Sequence, residues 1–477
     1  MEKFLDKLLE IVDTVNSYTA DYILVVLLIA TGLFFTIKTR FVQVRCFGEG
    51  MKKVFGNIKL RGGKQSGGLS SFQALATAIA AQVGTGNIVG ACGAILVGGP
   101  GAIFWMWAIA FLGMATIYSE AVLAQKTRVV DENGNVAGGP VYYIKKAFNN
   151  GFGKFLAGFF AIAVILALGF MGTMVQSNSI GEAVNTATGI DTWIIGIVVA
   201  LIAGFIFIGG ISRIASVTEK MVPIMALIYL IGGILIIACR VKYVPEAFGM
   251  IFKYAFMPQA IIGGGIGAAL KAAISQGAKR GLFSNEAGMG STPHAHALAK
   301  VEKPHDQGVV AMIGVFIDTF VVLTMTALVV ISCLYAGNGV LSEVGVDAEA
   351  LGIAKTNMVQ NAVTVAFEGF LGAGVAAKIG AIFVAVCLFF FAFSTIISWN
   401  LFGKINFEYL FGKKSVIVYS IIAVVFIFLG SCLQSDLVWS LTDFFNYLMV
   451  IPNVIALFAL NKMVVNEAKE AKRLTKK

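Results

Sequence analysis

Long apolar segments recur along the whole chain and are separated by short polar or charged stretches. Most are about 20 residues long and apolar on every face, which is typical of helices that cross a lipid bilayer. The pattern predicts eleven spans: 21–38, 70–97, 101–125, 154–179, 193–212, 217–239, 265–299, 309–336, 374–403, 415–432 and 437–461. The first 20 residues instead mix acidic and apolar positions at helical spacing, which predicts a surface helix.

Composition narrows the class of protein further. Of 477 residues, 58% are hydrophobic and 13% charged, and the mean hydropathy is +0.85. Soluble domains carry about 25% charged residues, so a soluble enzyme and a disordered chain are both excluded. The net charge of +10 lies in short clusters between apolar runs, which excludes a nucleic-acid partner. The apolar runs show no period of two, as an outer-membrane barrel would require.

The basic residues predict how the chain is oriented in the cell membrane. Loop 38–69 carries eight of them, including Lys59, Arg61 and Lys64, and the tail from Lys462 carries six. The loops 180–192 and 337–373 are acidic or nearly neutral. Because basic loops stay in the cytoplasm, we expect the N-terminus outside and the C-terminus inside a plasma or inner membrane.

Setting the first span aside leaves ten spans, which form two sets of five with opposite orientation. This arrangement indicates an inverted repeat. We therefore divide the chain into an N-terminal helix, extra span and basic cytoplasmic loop (1–69), a first repeat (70–240), an outer loop with the second repeat (241–461), and a basic cytoplasmic tail (462–477). The predicted fold class is an all-α polytopic membrane protein with broken first and sixth core helices.

Helix-breaking residues interrupt the first span of each repeat. Gly84-Thr85-Gly86-Asn87 lies in the middle of the first, and 280–291 (RGLFSNEAGMGS) interrupts the second. Unwound backbone inside a membrane is tolerated only where it is buried in protein or lines a cavity. It frees carbonyls for a cation and N–H groups for an anion, so the two breaks predict a substrate and ion site at mid-membrane.

Two longer motifs at the same places carry a family resemblance. Residues 98–113 (GGPGAIFWMWAIAFLG) and 283–291 (FSNEAGMGS) resemble the signatures of the alanine or glycine:cation symporters. Residues 83–87 (VGTGN) are also similar, more loosely, to the break of the neurotransmitter:sodium symporters. The resemblance implies a five-plus-five inverted-repeat fold and sodium-coupled uptake of alanine or glycine.

The same resemblance implies which residues hold sodium. Carbonyls of the first broken helix and hydroxyls of the ninth span would surround one ion, through Ala80, Val83, Phe391, Ser394 and Thr395. A possible second sodium would use Asn87 and Ser284. Sodium is the expected coupling ion, and no organic cofactor is expected.

A zwitterionic substrate needs N–H groups for its carboxylate, carbonyls or amides for its ammonium group, and a small apolar wall. The candidate substrate-binding residues near the breaks are Gln82, Thr85, Gly86, Phe170, Thr173, Gln176, Phe283, Asn285 and Trp399. The resemblance also implies that Glu120 holds the unwound backbone of the other broken helix. Glu286 is expected to pair with Arg280 or Lys279, which would stabilise its break.

Alternative functions remain open from the residues. Glu120 or Glu286 could carry a coupling proton instead, and Glu286 with the histidines could serve a membrane-embedded enzyme or receptor. A zinc site at His294, His296 and His305 is disfavoured, because an i, i+2 pair points to opposite sides of a helix and no third ligand has suitable spacing. The expected partners are a small neutral amino acid, sodium and the lipid bilayer. The preference between alanine and glycine and the oligomeric state stay open.

Overall fold

The computed structural model describes residues 2–56, 68–130, 132, 136–257, 266–337, 339–342, 346–433 and 435–474. Within these ranges nearly all of the chain is helical, which confirms the predicted all-α polytopic class. This part of the chain also contains loops, an isolated parallel bridge between Leu69 and Ala299, and one hairpin, in which β1 (Val129–Val130) pairs antiparallel with β2 (Val136–Ala137). Lys59, Arg61 and Lys64 of the basic loop, and the last three residues of the tail, lie outside the described residues.

The N-terminal region is one long helix followed by two short ones. Its helices are α1 (Glu2–Tyr18), α2 (Val25–Lys38), α3 (Val42–Arg45) and α4 (Phe47–Phe55). A π-helical segment, Thr19–Leu24, joins α1 directly to α2, so the expected surface helix is continuous with the first span. The Asn16 side chain donates to the Ser440 carbonyl at 2.8 Å, which holds α1 against the last predicted span.

The part of the first predicted repeat that the structure describes contains eight further α-helices. They are α5 (Ser71–Gln82), α6 (Ala91–Gly98), α7 (Ala102–Thr127), α8 (Pro140–Ala147), α9 (Gly151–Val164), α10 (Thr173–Thr188), α11 (Thr192–Ile208) and α12 (Gly210–Cys239). π-Helical segments at Gly86–Gly90 and Ile165–Gly172 precede α6 and α10. A capping box begins α5, because the Ser70 hydroxyl accepts from the Gln73 N–H and the Gln73 side chain accepts from the Ser70 N–H, each at 3.1 Å.

The described residues of the second predicted repeat and the tail form ten α-helices. They are α13 (Val244–Phe256), α14 (Ile266–Asn285), α15 (Pro293–Leu298), α16 (Pro304–Val315), α17 (Thr324–Val330), α18 (Met358–Leu371), α19 (Ala373–Phe411), α20 (Val416–Gly430), α21 (Ser435–Ala459) and α22 (Asn461–Leu474). π-Helical segments Phe316–Leu323 and Ile331–Tyr335 flank α17, and 3-10 turns Val241–Tyr243 and Lys413–Ser415 precede α13 and α20.

Among the described residues, eight helices are long and apolar enough to cross a membrane, or nine when α5 and α6 count as one broken span bent by 46°. Two further predicted spans correspond to α11, which is apolar but has only 17 residues, and to α14 followed by α15. Lys271, Lys279 and Arg280 lower the hydropathy of α14. The first broken span is therefore long and apolar enough to cross a membrane, whereas α14, which begins the second, is too polar to be counted.

Close helix crossings depend on glycine, and the contact between α20 and α10 shows this most clearly. A Cβ built on Gly430 would lie 2.5 Å from both the Cα and the carbonyl oxygen of Met174. The obstructing atoms are backbone, so no side-chain rotation relieves the overlap. Because Met174 is two residues before Gln176, this crossing also fixes the height of a side chain that reaches the first break.

We expect Gly430→Ala to lower the melting temperature of the detergent-solubilised protein by at least about 3 °C, since overpacking costs about 1–3 kcal/mol. Gly158→Ala on α9 is the matched control, because its Cβ would meet no atom within 4 Å. Thermal unfolding followed by tryptophan fluorescence measures both. Equal melting temperatures for the two variants would contradict the close crossing.

Candidate functional site

The first break begins where Val83 leaves helical geometry, with ψ of 87°. Side chains satisfy the backbone that is freed there: the Gly84 N–H donates to Asn87 Oδ1 at 3.0 Å, and the Thr85 N–H donates to Gln176 Oε1 at 3.2 Å. A Cβ on Gly84 would lie 2.5 Å from the Thr395 hydroxyl, so glycine is required at this position. Side chains therefore hold the break in a fixed conformation, and the break is in direct contact with the ninth predicted span.

The second break follows α14 and contains three residues with left-handed backbone. Glu286, Gly288 and Gly290 have φ of 58°, 100° and 78°. The buried carboxylate of Glu120 accepts from the Gly288 N–H at 3.2 Å, from the Gly290 N–H at 3.0 Å and from the Asn453 amide at 2.5 Å. Glu120 thus lies where the sequence placed it, against the unwound backbone of the other broken helix.

Glu286 also bridges its break, but not with the partner expected from the sequence. Its carboxylate accepts from the Trp399 indole at 2.5 Å and from the Ser291 hydroxyl. Arg280 lies earlier in the chain, on α14, and its guanidinium group pairs with the Asp443 carboxylate of α21 at 3.0 Å. The expected Glu286–Arg280 pair is therefore corrected: helical geometry directs the guanidinium towards α21, whereas the left-handed turn directs Glu286 towards α19.

The two breaks meet in the middle of the molecule. The Gln82 amide donates to the Asn285 carbonyl at 2.8 Å, and a Cβ on Gly86 would lie 3.1 Å from the Ser284 Cα. Two polar atoms beside this contact, Gln82 Oε1 and Thr85 Oγ1, are buried without a hydrogen-bond partner. Buried polar groups are normally paired, so these two atoms mark a place for a polar ligand.

Oxygen atoms also converge between the first break and α19. Thr395 Oγ1 lies 2.8 Å from the Ala80 carbonyl and 3.1 Å from the Phe391 carbonyl, and Ser394 Oγ lies 2.9 Å from the latter. The Ala81 carbonyl is 3.4 Å from Thr395 Oγ1. Val83 is not an acceptor for either hydroxyl among the described contacts. Four of the five expected sodium ligands are thus connected by hydrogen bonds from two hydroxyls to two carbonyls.

Asp318 is a site residue that the sequence analysis missed. It lies in the π-helical segment Phe316–Leu323 and is completely buried. Its carboxylate accepts from the Asn87 amide at 2.7 Å, from the Ser284 hydroxyl at 3.0 Å and from the Thr319 hydroxyl at 2.8 Å. Asn87 and Ser284 are the two residues expected at a second sodium. A carboxylate inside an apolar run was the available signal.

The predicted aromatic wall is only partly present. Phe283 makes an edge contact with Trp399 at 5.8 Å between ring centroids, and Trp439 of α21 joins it at 5.0 Å. Phe170 faces elsewhere, because its ring stacks on Tyr419 and Phe426 of α20 at 5.7 and 4.8 Å. Phe170 therefore does not belong to the aromatic wall of the site. Trp439, which the sequence analysis did not select, does belong to it.

Thr173 is also not available as a substrate-binding residue. Its hydroxyl donates to the Phe170 carbonyl at 2.8 Å and to the Gly169 carbonyl at 3.1 Å, both within its own helix. The histidines hold separate partners, as the spacing predicted: the ring of His294 contacts the Ser291 carbonyl and Asn406, and the ring of His296 contacts Gln307. They do not form a shared metal site with His305 among the described residues.

Two interrupted helices that meet at their breaks, surrounded by carbonyls, hydroxyls and buried carboxylates, define the class of secondary transporters. A model of the sodium:alanine symporter family matches residues 5–477. The chain belongs to the sodium:alanine symporter family, and it is a cation-coupled amino-acid symporter with several membrane-crossing helices.

Individual relatives agree with this assignment. The sodium/alanine symporter AgcS of Methanococcus maripaludis is 41% identical over 98% of both chains. The putative sodium/proton-dependent alanine carrier protein YrbD of Bacillus subtilis is 38% identical over 94% of this chain and 90% of its own. The crystal structure of MhsT in complex with L-phenylalanine has the same fold, with a TM-score of 0.59 over 85% of this chain and 93% of that chain at 15% identity.

We expect Glu120→Gln to reduce amino-acid uptake at least about tenfold. A glutamine keeps one acceptor oxygen and turns an NH₂ group towards backbone donors, and an unpaired buried N–H costs about 1–3 kcal/mol. Uptake into proteoliposomes, normalised to inserted protein, measures the effect. Glu408→Gln on α19 is the control with the same change of charge; wild-type uptake by Glu120→Gln would contradict the support of the second break.

Proposed function

We propose that the chain is a sodium symporter for a small neutral amino acid, alanine or glycine or both, and that it moves both into the cell by alternating access. The observation that carries this proposal is the oxygen cluster of Ala80, Phe391, Ser394 and Thr395, which adjoins the first break. Sodium would couple to the amino acid because the same break, at Thr85 and Gly86, also borders the space for the substrate.

The chemistry of the oxygen cluster favours a hard monovalent cation. Its members are carbonyls and hydroxyls without formal charge, and they are completely buried. Oxygen ligands suit hard cations, and an uncharged set suits a single positive charge better than a double one. The hydroxyls of Ser394 and Thr395 now donate to carbonyls; with sodium bound, their oxygens would turn to the ion.

A second sodium would be held around Asp318. Its carboxylate has three hydrogen-bond donors, from Asn87, Ser284 and Thr319, and no hydrogen bond or ion pair to a basic side chain among the described contacts. A buried charge without a counter-ion is costly, and a cation there would offset it. Because Asn87 and Ser284 belong to the two different breaks, this ion would tie the broken helices together.

The proposed amino-acid site lies between the breaks. Gln82 Oε1 and Thr85 Oγ1 would accept from the ammonium group, and the turn that starts the Gly86–Gly90 segment would present N–H groups to the carboxylate. A Cβ built on Gly86 would lie 3.0 Å from a ring carbon of Phe283, and the Trp399 ring packs on Phe283. This close wall favours a side chain no larger than a methyl group.

Proton coupling is the alternative with a specific observation behind it. Glu120, Glu286 and Asp318 are completely buried carboxylates, and one relative is named a sodium/proton-dependent carrier. Glu120 accepts from two backbone N–H groups of the second break, and Glu286 accepts from the Ser291 hydroxyl of that break and from the Trp399 indole of α19. These contacts favour a structural role over proton transfer. In our proposal the N-terminus lies outside the cell and the C-terminus inside.

Replacing external sodium by choline should abolish concentrative alanine uptake into proteoliposomes, with at least about a tenfold loss. One sodium ion entering down a tenfold gradient and 100 mV supplies about 3.7 kcal/mol, enough for roughly 500-fold accumulation. Radiolabelled alanine at fixed pH and ionic strength measures this. Choline does not change the proton gradient, so undiminished uptake in choline that collapses with a protonophore would establish the alternative instead.

Two substitutions should separate the two proposed ion sites. Thr395→Ala removes one hydroxyl ligand, so the sodium concentration for half-maximal uptake should rise about tenfold, and alanine affinity at fixed sodium should fall because the two are linked. Asp318→Asn removes the charge of the second site. The Hill coefficient of uptake for sodium should therefore fall from about two to about one. Uptake across a series of sodium concentrations measures both.

Ser420→Ala on α20 is the control for these variants. Its hydroxyl donates at 3.0 Å to the Val416 carbonyl of its own helix, so the change removes a hydroxyl from a similar setting away from the site. Its sodium dependence should equal that of the wild type. If Thr395→Ala and Asp318→Asn are inserted normally and also show the wild-type sodium dependence, sodium binds at neither place.

A further inference from the structure

A second group of ligand-type side chains lies outside the transport site, where α4 packs on α16. The Cys46 thiol, the Glu49 carboxylate and the His305 imidazole each place one ligand atom within 4.8 Å of the other two. His305 Nε2 is 3.3 Å from Glu49 Oε2. Cys46 and His305 are buried, and the Glu49 side chain is 31% exposed.

The local fold explains why these residues meet. Cys46 lies in the turn between α3 and α4, and Glu49 follows three residues later, so both project from the same face of the first turn. Gly50 lets α4 lie directly on α16, since a Cβ there would be 2.8 Å from the Val309 carbonyl. His305 is the second residue of α16 and points into the contact.

We propose that Cys46, Glu49 and His305 form a three-ligand site for a zinc-class divalent ion, which joins α4 to the start of α16. This site is separate from the sodium and amino-acid sites, and it would fasten the loop after the first span to the helix that continues to Asp318.

The donor set suits zinc better than the other common ions. One thiolate, one imidazole and one carboxylate are typical zinc ligands, and three protein ligands leave a fourth position for water, which the exposed part of Glu49 allows. Sulfur and nitrogen ligands of a tetrahedral zinc lie about 3.5 Å apart. Atoms now within 4.8 Å therefore need side-chain movements of about 1 Å, with no change of backbone.

The surroundings hold His305 in a suitable orientation. Its Nδ1 lies 2.8 Å from the Tyr118 hydroxyl, which leaves Nε2 facing Cys46 and Glu49. The backbone N–H of His305 donates to Glu467 of α22 at 3.3 Å. Such outer contacts commonly fix the ring of a metal-binding histidine.

Nearby charges leave the ligands available. Lys53 lies 3.1 Å from Asp306 but 3.9 Å from Glu49, so its closer partner is not the proposed ligand. Binding of the ion would release the proton of the Cys46 thiol to solvent.

Metal binding to the purified full-length chain tests the proposal directly. After equilibrium dialysis of detergent-solubilised protein against zinc chloride, we expect one zinc per wild-type chain and a higher melting temperature than in chelator. Cobalt substitution should add a thiolate-to-cobalt charge-transfer band. Cys46→Ser and Glu49→Gln should each weaken zinc binding at least about tenfold, and Cys46→Ser should remove the band.

Cys432→Ser is the matched control, because Cys432 is a free, exposed cysteine that does not belong to this cluster. It should keep the zinc, the cobalt band and the stabilisation. Glu49→Gln keeps the shape of the side chain, so it separates loss of a ligand from misfolding, which gel filtration also monitors. Less than one zinc per wild-type chain, or equal zinc binding by all three variants, would reduce the cluster to an ordinary His305–Glu49 hydrogen bond and overturn the proposal.

Discussion

The requirement that every backbone N–H group inside the membrane finds an acceptor governs this structure. Where the first core helix unwinds, the freed donors go to Asn87 and Gln176; where the second unwinds, they go to Glu120. Asn87 belongs to the first broken helix itself, whereas Gln176 and Glu120 come from α10 and α7, so the breaks are completed only when the bundle is assembled around them. The functional site is therefore a consequence of tertiary packing, and no broken helix could hold it alone.

Satisfying the breaks leaves some polar groups without protein partners, and these groups carry the proposed function. Among the described residues, Gln82 Oε1 and Thr85 Oγ1 are buried without a hydrogen-bond partner, and Asp318 has hydrogen-bond donors but no basic partner. A protein selected for stability alone would replace such groups by apolar ones. Their persistence at the crossing of the two breaks is what favours binding of a zwitterion and cations there over a purely structural explanation.

The sequence predicted the breaks because they depend on local composition, glycine and small polar residues in apolar segments, and its family resemblance implied the Ser394–Thr395 cluster. It failed where the outcome depends on the direction of a side chain. Phe170 is apolar on a core helix, yet it faces α20, and Arg280 pairs with Asp443, 163 residues away. Asp318 could have been found as a charge within a span. The Cys46–Glu49–His305 contact could not, since only the packing of α4 on α16 brings it together.

The central claim is that sodium and the amino acid share the broken helices, so each must strengthen the binding of the other. The most direct measurement is equilibrium binding of labelled alanine to the purified protein in sodium and in potassium at equal ionic strength and pH. The account predicts alanine affinity about 5- to 150-fold higher in sodium. Equal affinity in the two salts, with active protein, would contradict it.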